Sequence, residues 1–234
     1  MILSHRLGAV LVRDRKVAGT SVEISLSTHC GRLDVITPLD SPDEDLRQSL
    51  GGQGPQHYLM PWKRLRPKHL RHMIMKRRRP HLFDAHTSAS KVRRFVGEEM
   101  WSEYLTFTIV RNPWDRIVSL YFFRSSQFER YVPFSRWLRS EPRSHLSTAR
   151  RYMQSGEVIV DRAIRYERLT EELAGVWQDL DIGTTPQLPR AKGGIRPKRT
   201  RDWRAFYSDD DALFVAEVCC AEIDLFGYSF DAAS

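Results

Sequence analysis

Short apolar runs alternate with amphipathic stretches along the chain. Residues 7–12 (LGAVLV) form a continuous apolar run, typical of a strand that is buried on both faces of a parallel sheet. Leu105–Val110 is rich in β-branched and aromatic residues and predicts a second strand, and residues 163–166 predict a third. A helical pattern follows each strand, beginning at about Val22 after the first. These repeated units predict an α/β domain of three layers with a mostly parallel central sheet.

The helix that follows Leu105–Val110 has clear start signals. Asn112 is a good N-cap, Pro113 stands at the first helical position and Asp115 at the third. One face carries apolar residues at helical spacing and is expected to face the core: Trp114, Ile117, Val118 and Tyr121. The opposite face carries polar residues: Asn112, Asp115, Arg116 and Ser119.

Two further helices have recognisable ends. Residues 41–44 (SPDE) resemble a capping box with proline at the first helical position, and glycines at 51–52 end that helix. The last helix is expected to begin at Ser208 and to continue to Gly227, with three aspartates in its first turn. Its apolar positions at helical spacing are Phe214, Val218, Ala221 and Leu225.

Composition narrows the class of protein. The chain has 234 residues, of which 41% are hydrophobic and 28% charged, so it can bury a full core and is neither disordered nor collagen-like. Three cysteines, two of them adjacent, argue against a disulfide scaffold. The chain has no apolar run of membrane-spanning length and no signal-peptide pattern at its start, so we expect a cytoplasmic protein.

The net charge of +8 is concentrated in one segment. Between Pro61 and Pro80 there are nine lysines and arginines and no acidic residue, and the other 214 residues carry a net charge of −1. This proline-punctuated stretch is expected to be a basic insertion at about residues 51–80 within a single domain covering 1–234. It is either a solvated charged face or a surface that attracts an anionic partner.

Two predicted loops suit anion binding. In open α/β sheets, ligands bind beyond the carboxyl ends of the strands. The first loop contains Lys16 and Gly19 and leads into a helix start, although it lacks the second glycine of a Walker A loop. An ordinary strand-to-helix turn explains this loop equally well. After the second strand, Arg111 and Ser119 can hold one phosphate between a guanidinium and a hydroxyl.

These residues resemble two motifs of the sulfotransferases. KVAGTS at residues 16–21 resembles the 5′-phosphosulfate loop, and VRNPWDRIVSLYF at 110–122 resembles the 3′-phosphate motif. The similarity is closest to sulfotransferase family 2, which includes carbohydrate sulfotransferases, and it extends to His86, YERL at 166–169, AKGGIR at 191–196 and DLFGYSF at 224–230. Arg15 departs from the pattern, because the family usually has proline before the lysine.

The resemblance implies a P-loop-like fold and transfer of a sulfuryl group from 3′-phosphoadenosine 5′-phosphosulfate (PAPS), without a metal. Lys16, Gly19, Thr20 and Ser21 would bind the 5′-phosphosulfate, with Lys16 also catalytic, and Arg111 and Ser119 would bind the 3′-phosphate. The remaining residues implied in nucleotide binding are Tyr166, Lys192, Gly193, Gly194 and Arg196. The acceptor would carry a hydroxyl group and could be anionic, such as a glycan, a lipid-linked saccharide or a peptide, and peripheral membrane contact stays open.

His86 is the candidate general base, because an imidazole with an ordinary pKa near ~6.5 can accept a proton at neutral pH. His81, five residues earlier, is the competing candidate. Cys30, His81 and His86 lack metal-ligand spacing.

The main alternative function is a nucleic-acid or polyanion-binding module that uses residues 63–79, although that segment is poor in aromatic residues and nucleic acid is not the expected partner. A kinase-like enzyme is disfavoured because there is no Walker motif.

Overall fold

A five-stranded sheet forms the centre of the protein, as seen in a computed structural model that describes residues 1–67, 73–75, 77–127, 129–189 and 202–231. The strands, in spatial order, are β3 (Val35–Ile36), β1 (Ile2–Ser4), β2 (Ala9–Val12), β4 (Leu105–Val110) and β7 (Arg162–Arg165). β4 is parallel to β2 and β7, whereas β1 is antiparallel to both of its neighbours. The prediction of an α/β fold with a mostly parallel central sheet is confirmed.

Helices surround this sheet. In chain order they are α1 (Gly19–Ser27), α2 (Asp43–Ser49), α3 (Ala89–Val96), α4 (Glu98–Glu103), α5 (Pro113–Ser125), α6 (Phe134–Ser140), α7 (Arg143–Leu146), α8 (Leu169–Asp179), α9 (Asp209–Val218) and α10 (Cys220–Phe226). A small antiparallel hairpin, β5 (Met153–Gln154) and β6 (Glu157–Val158), lies apart from the main sheet. Short 3₁₀ turns occur at Trp62–Arg64, Ala149–Arg151, Tyr166–Arg168 and Arg204–Phe206.

The alternation of side chains along the strands separates two apolar clusters. Ile2 and Leu11 belong to a cluster with α1 and α8, whereas Leu3 and Val10 belong to a cluster with α3 and α4. Because successive strand residues point to opposite faces, the two clusters lie on opposite sides of the sheet. Helices therefore cover both faces, which gives the three layers that the sequence predicts.

A third apolar cluster packs beside these layers. It joins α5, α6, α7 and α9 to Trp203. The indole of Trp114 on α5 stacks on that of Trp203 at a centroid distance of 6.5 Å and donates a hydrogen bond to the Ala212 carbonyl at 3.1 Å. This cluster fixes α5, whose N-terminus follows β4.

Among the described residues, no helix combines the length and apolar character that crossing a membrane requires.

The segment from β4 to α5 matches the sequence prediction. β4 has the predicted bounds, and the Asn112 side chain caps α5 by accepting hydrogen bonds from the backbone amides of Trp114 and Asp115. The predicted apolar face of α5 is buried, but the assignment of Arg116 to the polar face is wrong. Arg116 is 1% exposed, and its guanidinium lies 3.8 Å from the Glu222 carboxylate of α10 and donates a hydrogen bond to the Leu146 carbonyl of α7.

The start of the chain differs from its prediction. The first strand of the predicted pattern begins at Ala9 rather than Leu7, since residues 5–8 form the turn of a hairpin with the unpredicted β1. Gly8 has φ of +60°, a conformation that glycine adopts without a side-chain clash. α1 begins at Gly19, three residues before Val22.

Two helices also begin or end at residues other than those that the sequence predicts. Pro42 is the N-cap of α2 rather than its first helical residue, and the Ser41 hydroxyl donates a hydrogen bond to Asp45 instead of capping the backbone. The last predicted helix is two helices, α9 and α10, separated at Cys219. Its buried positions are Asp211, Val215, Cys219 and Glu222, whereas Ala221 and Leu225 are exposed. The pattern was misread because two of the buried positions are acidic and pair with arginines.

Candidate active site

A cleft of about 560 Å³ opens where β2 and β4 end. It brings together eight residues that the sequence analysis singled out: Lys16, Gly19, Thr20, Ser21, His86, Arg111, Ser119 and Tyr166. These residues come from four separate parts of the chain, and the parallel strands carry three of those parts to the same edge of the sheet. The other predicted residues, Lys192, Gly193, Gly194 and Arg196, lie outside the described part of the chain.

The first anion loop, between β2 and α1, has an unusual backbone. Lys16 and Ala18 adopt left-handed conformations with φ of 62° and 59°. Gly19 begins α1, and a Cβ atom at this position would lie 2.7 Å from the Arg13 Cγ. The glycine therefore allows the Arg13 side chain to pass directly behind the loop. As a result, the N-terminal residues Thr20 and Ser21 of α1 line the cleft.

A buried ionic cluster supports α1 from beneath. The Glu23 carboxylate accepts hydrogen bonds from Arg13 at 2.7 Å, Arg47 at 3.2 Å and the Thr37 hydroxyl at 3.2 Å, and lies 3.0 Å from the Met1 amine. Burial alone would raise the pKa of this carboxyl, but the surrounding cations lower it to about 2. Glu23 is therefore ionised at neutral pH, and it holds Arg13 in place behind the loop.

Arg111 connects the second anion loop to the first. Its Nη1 donates to the Lys16 carbonyl at 2.8 Å, and its Nε and Nη2 donate to the Asp115 carboxylate at 2.8 and 2.6 Å. The guanidinium also lies over the Tyr166 ring, 4.0 Å from its centroid. Ser119, eight residues after Arg111, lines the same cleft. The guanidinium is thus fixed in position at the junction of three cleft-lining segments.

Among the described residues, His86 is the histidine that lines this cleft. Its Nδ1 lies 3.4 Å from the Arg13 carbonyl oxygen, and its own carbonyl accepts a hydrogen bond from Arg151. Because a carbonyl can only accept, Nδ1 carries the proton of this long hydrogen bond and Nε2 keeps its lone pair. Burial lowers the pKa of His86 to about 3, and the positive charges of Arg13 and Arg15 add to this effect. The surroundings of His86 therefore do not give it the ordinary pKa that the sequence led us to expect.

His81 has a different environment from His86. Its Nδ1 lies 3.0 Å from the Asp84 carboxylate, and its ring meets the edge of Tyr58 at a centroid distance of 5.1 Å. His81 does not appear among the described residues that line the cleft. The geometry therefore favours His86 over His81 as the candidate base.

The cleft contains functional candidates that the sequence analysis did not single out. Lys16 Nζ lies 4.7 Å from the centroid of the Phe123 ring. Asp14 is buried and uses one carboxylate oxygen to accept a hydrogen bond from the Arg15 amide at 2.6 Å, while its other oxygen has no hydrogen-bond partner in the described structure. Burial raises the pKa of Asp14, with the Arg116 charge opposing this rise. The signal for Asp14 was its position, two residues after a buried strand.

The described residues contain no group of three or more histidine, cysteine or acidic side chains arranged to hold a metal ion. The site is instead dominated by cations. Arginine and lysine side chains line the cleft at Arg13, Arg15, Lys16, Arg111 and Arg124, with carboxylates at Asp14 and Asp40. Such a lining suits an anionic ligand.

Comparison with known proteins gives one family. A model described as Sulfotransferase family (Sulfotransfer_2) matches residues 15–229. Searches of curated proteins and of solved structures returned no significant match. The matched range begins at the first anion loop and ends beyond α10, so it includes every cleft residue from Arg15 onward. Since the match covers most of the chain, the protein is a member of sulfotransferase family 2.

Proposed function

We propose that the protein transfers a sulfuryl group from PAPS to an acceptor hydroxyl, and that its α/β core is a P-loop-like nucleotide-binding domain. One observation carries the proposal. Lys16, His86 and Arg111 line one cleft at the carboxyl ends of parallel strands. Lys16 and Arg111 are 95 residues apart in the sequence. This cleft can hold both phosphate groups of the donor and still present a neutral imidazole to the acceptor.

The residues present fit the donor. A volume of about 560 Å³ is within the range of small-molecule sites. The donor has anionic groups at both ends of its ribose, and the cleft has cations in both anion loops. The N-terminus of α1 adds backbone amides directed at the first loop. Size and charge therefore both suit this nucleotide.

The family resemblance gives each binding residue a role, and the shared cleft supports these assignments. Lys16, Gly19, Thr20 and Ser21 bind the 5′-phosphosulfate. Arg111 and Ser119 bind the 3′-phosphate, and Tyr166 supports the guanidinium through the face of its ring. The family resemblance adds Lys192, Gly193, Gly194 and Arg196 to the nucleotide-binding set.

The transfer step needs a proton acceptor and a cation. His86 Nε2 takes the acceptor hydroxyl proton while the acceptor oxygen forms a bond to sulfur and the bond from sulfur to the phosphate oxygen breaks. Lys16 stabilises the negative charge that develops on the departing phosphate oxygen. Burial, and then the neighbouring arginines, lower the pKa of His86 to about 3. A bound polyanion offsets the neighbouring arginines and raises that pKa, so His86 is a stronger base in the complex.

The acceptor is a hydroxyl compound of glycan type. This part of the proposal rests on the similarity to carbohydrate sulfotransferases and on the cations around His86, which favour an anionic acceptor. We treat residues 1–234 as one sulfotransferase domain in which residues 51–80 form a basic insertion.

Calorimetry and thermal unfolding with three ligands test the proposal. Adenosine 3′,5′-bisphosphate should stabilise the protein by about 2.7 kcal/mol at a hundredfold excess over its dissociation constant. ATP, which has no 3′-phosphate, should stabilise it less. An equal effect of ATP would contradict the roles of Arg111 and Ser119, and tighter binding of a random oligonucleotide would favour the nucleic-acid alternative.

A further inference from the structure

The segment 61–79, here named the basic arm, is described at residues 61–67, 73–75 and 77–79, and its two ends lie next to each other. The Met60 amide donates a hydrogen bond to the Pro80 carbonyl at 2.9 Å, and Leu59 pairs with His81 in an antiparallel bridge. The Arg79 guanidinium donates a hydrogen bond to the Met60 carbonyl. The two ends of the arm are therefore joined to each other at its base.

The arm exposes large apolar side chains. Trp62 is 64% exposed, Ile74 79% and Met75 68%. Eight large hydrophobic side chains are exposed among the described residues, and three of them lie in the arm, although the arm is a small part of the sequence. Several large apolar side chains exposed within one short segment of the sequence indicate a contact surface.

The same arm carries strong positive charge. Its described and exposed cations are Lys63, Arg64, Arg66, Arg77 and Arg78. The sequence places no acidic residue between Pro61 and Pro80. Two arginines of the arm stack on aromatic rings. Arg79 lies over Trp62 within the arm, 4.5 Å from the ring centroid. Arg64 lies over Phe95 of α3 at 4.4 Å, and this contact ties the arm to the domain.

Charge and exposed apolar groups together identify the partner. A soluble polyanion would use the cations alone and would leave Ile74 and Met75 in water. The surface of an anionic bilayer uses both, because lipid headgroups attract the cations and the interfacial region takes up the apolar side chains. We propose that the basic arm docks the protein on an anionic membrane surface.

Docking has a consequence for the cleft if the proposed function holds. Pro80 at the base of the arm is six residues before His86, which is at most about 20 Å of extended chain. A docked protein would then hold its cleft close to hydroxyl groups borne by the membrane. Membrane binding itself does not depend on sulfuryl transfer, so the vesicle test below and the nucleotide test above can fail separately.

Sedimentation with vesicles tests the charge contribution. The full chain should bind phosphatidylcholine vesicles that contain about one third phosphatidylserine, and should not bind pure phosphatidylcholine vesicles. The double variant Arg77→Ala/Arg78→Ala should lower the partition coefficient about 30-fold. The control Arg143→Ala/Arg168→Ala removes the same charge from exposed positions outside the arm and should change it less than about threefold. If the two variants lose the same amount of vesicle binding, net charge alone explains the binding and the proposal is overturned.

A second pair of variants tests the apolar contribution. Ile74→Ser/Met75→Ser should lower vesicle partition at least about tenfold while leaving binding to heparin, a soluble polyanion, unchanged. Leu33→Ser/Leu213→Ser, at exposed positions elsewhere, is the matched control. Unchanged vesicle binding of the arm variant would show that the arm is a polyanion site and would overturn the membrane assignment. Thermal unfolding of each variant confirms that it is folded.

Discussion

Replacing His86 by asparagine should make the protein less sensitive to acid. Asparagine keeps an N–H donor near the position of Nδ1, so the hydrogen bond to the Arg13 carbonyl can persist. It removes the group that titrates. In the wild type, burial and the neighbouring arginines lower the pKa of His86 to about 3 in the folded protein, against 6.5 for the ordinary imidazole.

The sign and size of the effect follow from these two pKa values. Between them, the unfolded chain binds a proton that the folded chain does not, so the free energy of unfolding decreases as pH falls from about 6.5 toward 3. At about pH 5 this one group costs the wild type about 2 kcal/mol relative to about pH 8. The variant lacks this loss.

Urea unfolding at about pH 8 and about pH 5 measures the difference. The steric effect of the substitution is present at both pH values and cancels when each protein is compared with itself. Bound adenosine 3′,5′-bisphosphate should shrink the acid loss of the wild type, because its negative charges raise the pKa of His86. If wild type and variant lose the same stability between the two pH values, His86 is not held neutral by its surroundings.

Four further substitutions probe the cleft and its support. Glu23→Gln should lower the free energy of unfolding by about 3–5 kcal/mol in urea, since it leaves buried cations uncompensated; a loss under 1 kcal/mol would contradict this. Gly19→Ala should weaken bisphosphate binding in calorimetry because its Cβ collides with Arg13, and unchanged affinity would count against the close approach. Lys16→Ala should lower kcat about 10²- to 10³-fold, whereas Arg111→Ala should chiefly weaken bisphosphate binding; the reverse pattern would exchange their roles.

Local signals were sufficient to predict the central part of the fold. β4 and the start of α5 could be read directly, because the strand pattern, the Asn112 cap and Pro113 act within a few residues of each other. The same reading placed Lys16 and Arg111 at strand ends, and strand ends of one sheet meet in space. Their proximity is therefore a consequence of topology that the sequence pattern already implies.

Long-range contacts explain what could not be predicted. The surroundings of His86 come from Arg13 and Arg151, which are 73 and 65 residues away, so its lowered pKa has no local signal. Arg116 was placed on the polar face because a charged residue is rarely buried, and its distant partners, the Glu222 carboxylate and the Leu146 carbonyl, make that burial tolerable. Short β1 was missed because three residues are too few to show a period.

The candidate donor loop is held from two sides before any ligand binds. Glu23 fixes Arg13 behind the loop, and Arg111 fixes the Lys16 carbonyl in front of it. Left-handed conformations at Lys16 and Ala18 cost on the order of 1 kcal/mol each, and such strain persists only where the surroundings enforce it. Because folding already meets this cost, we expect the proposed nucleotide to meet a preorganised loop and to spend little of its binding energy on ordering it. Loss of Glu23 should therefore weaken nucleotide binding although Glu23 does not line the cleft.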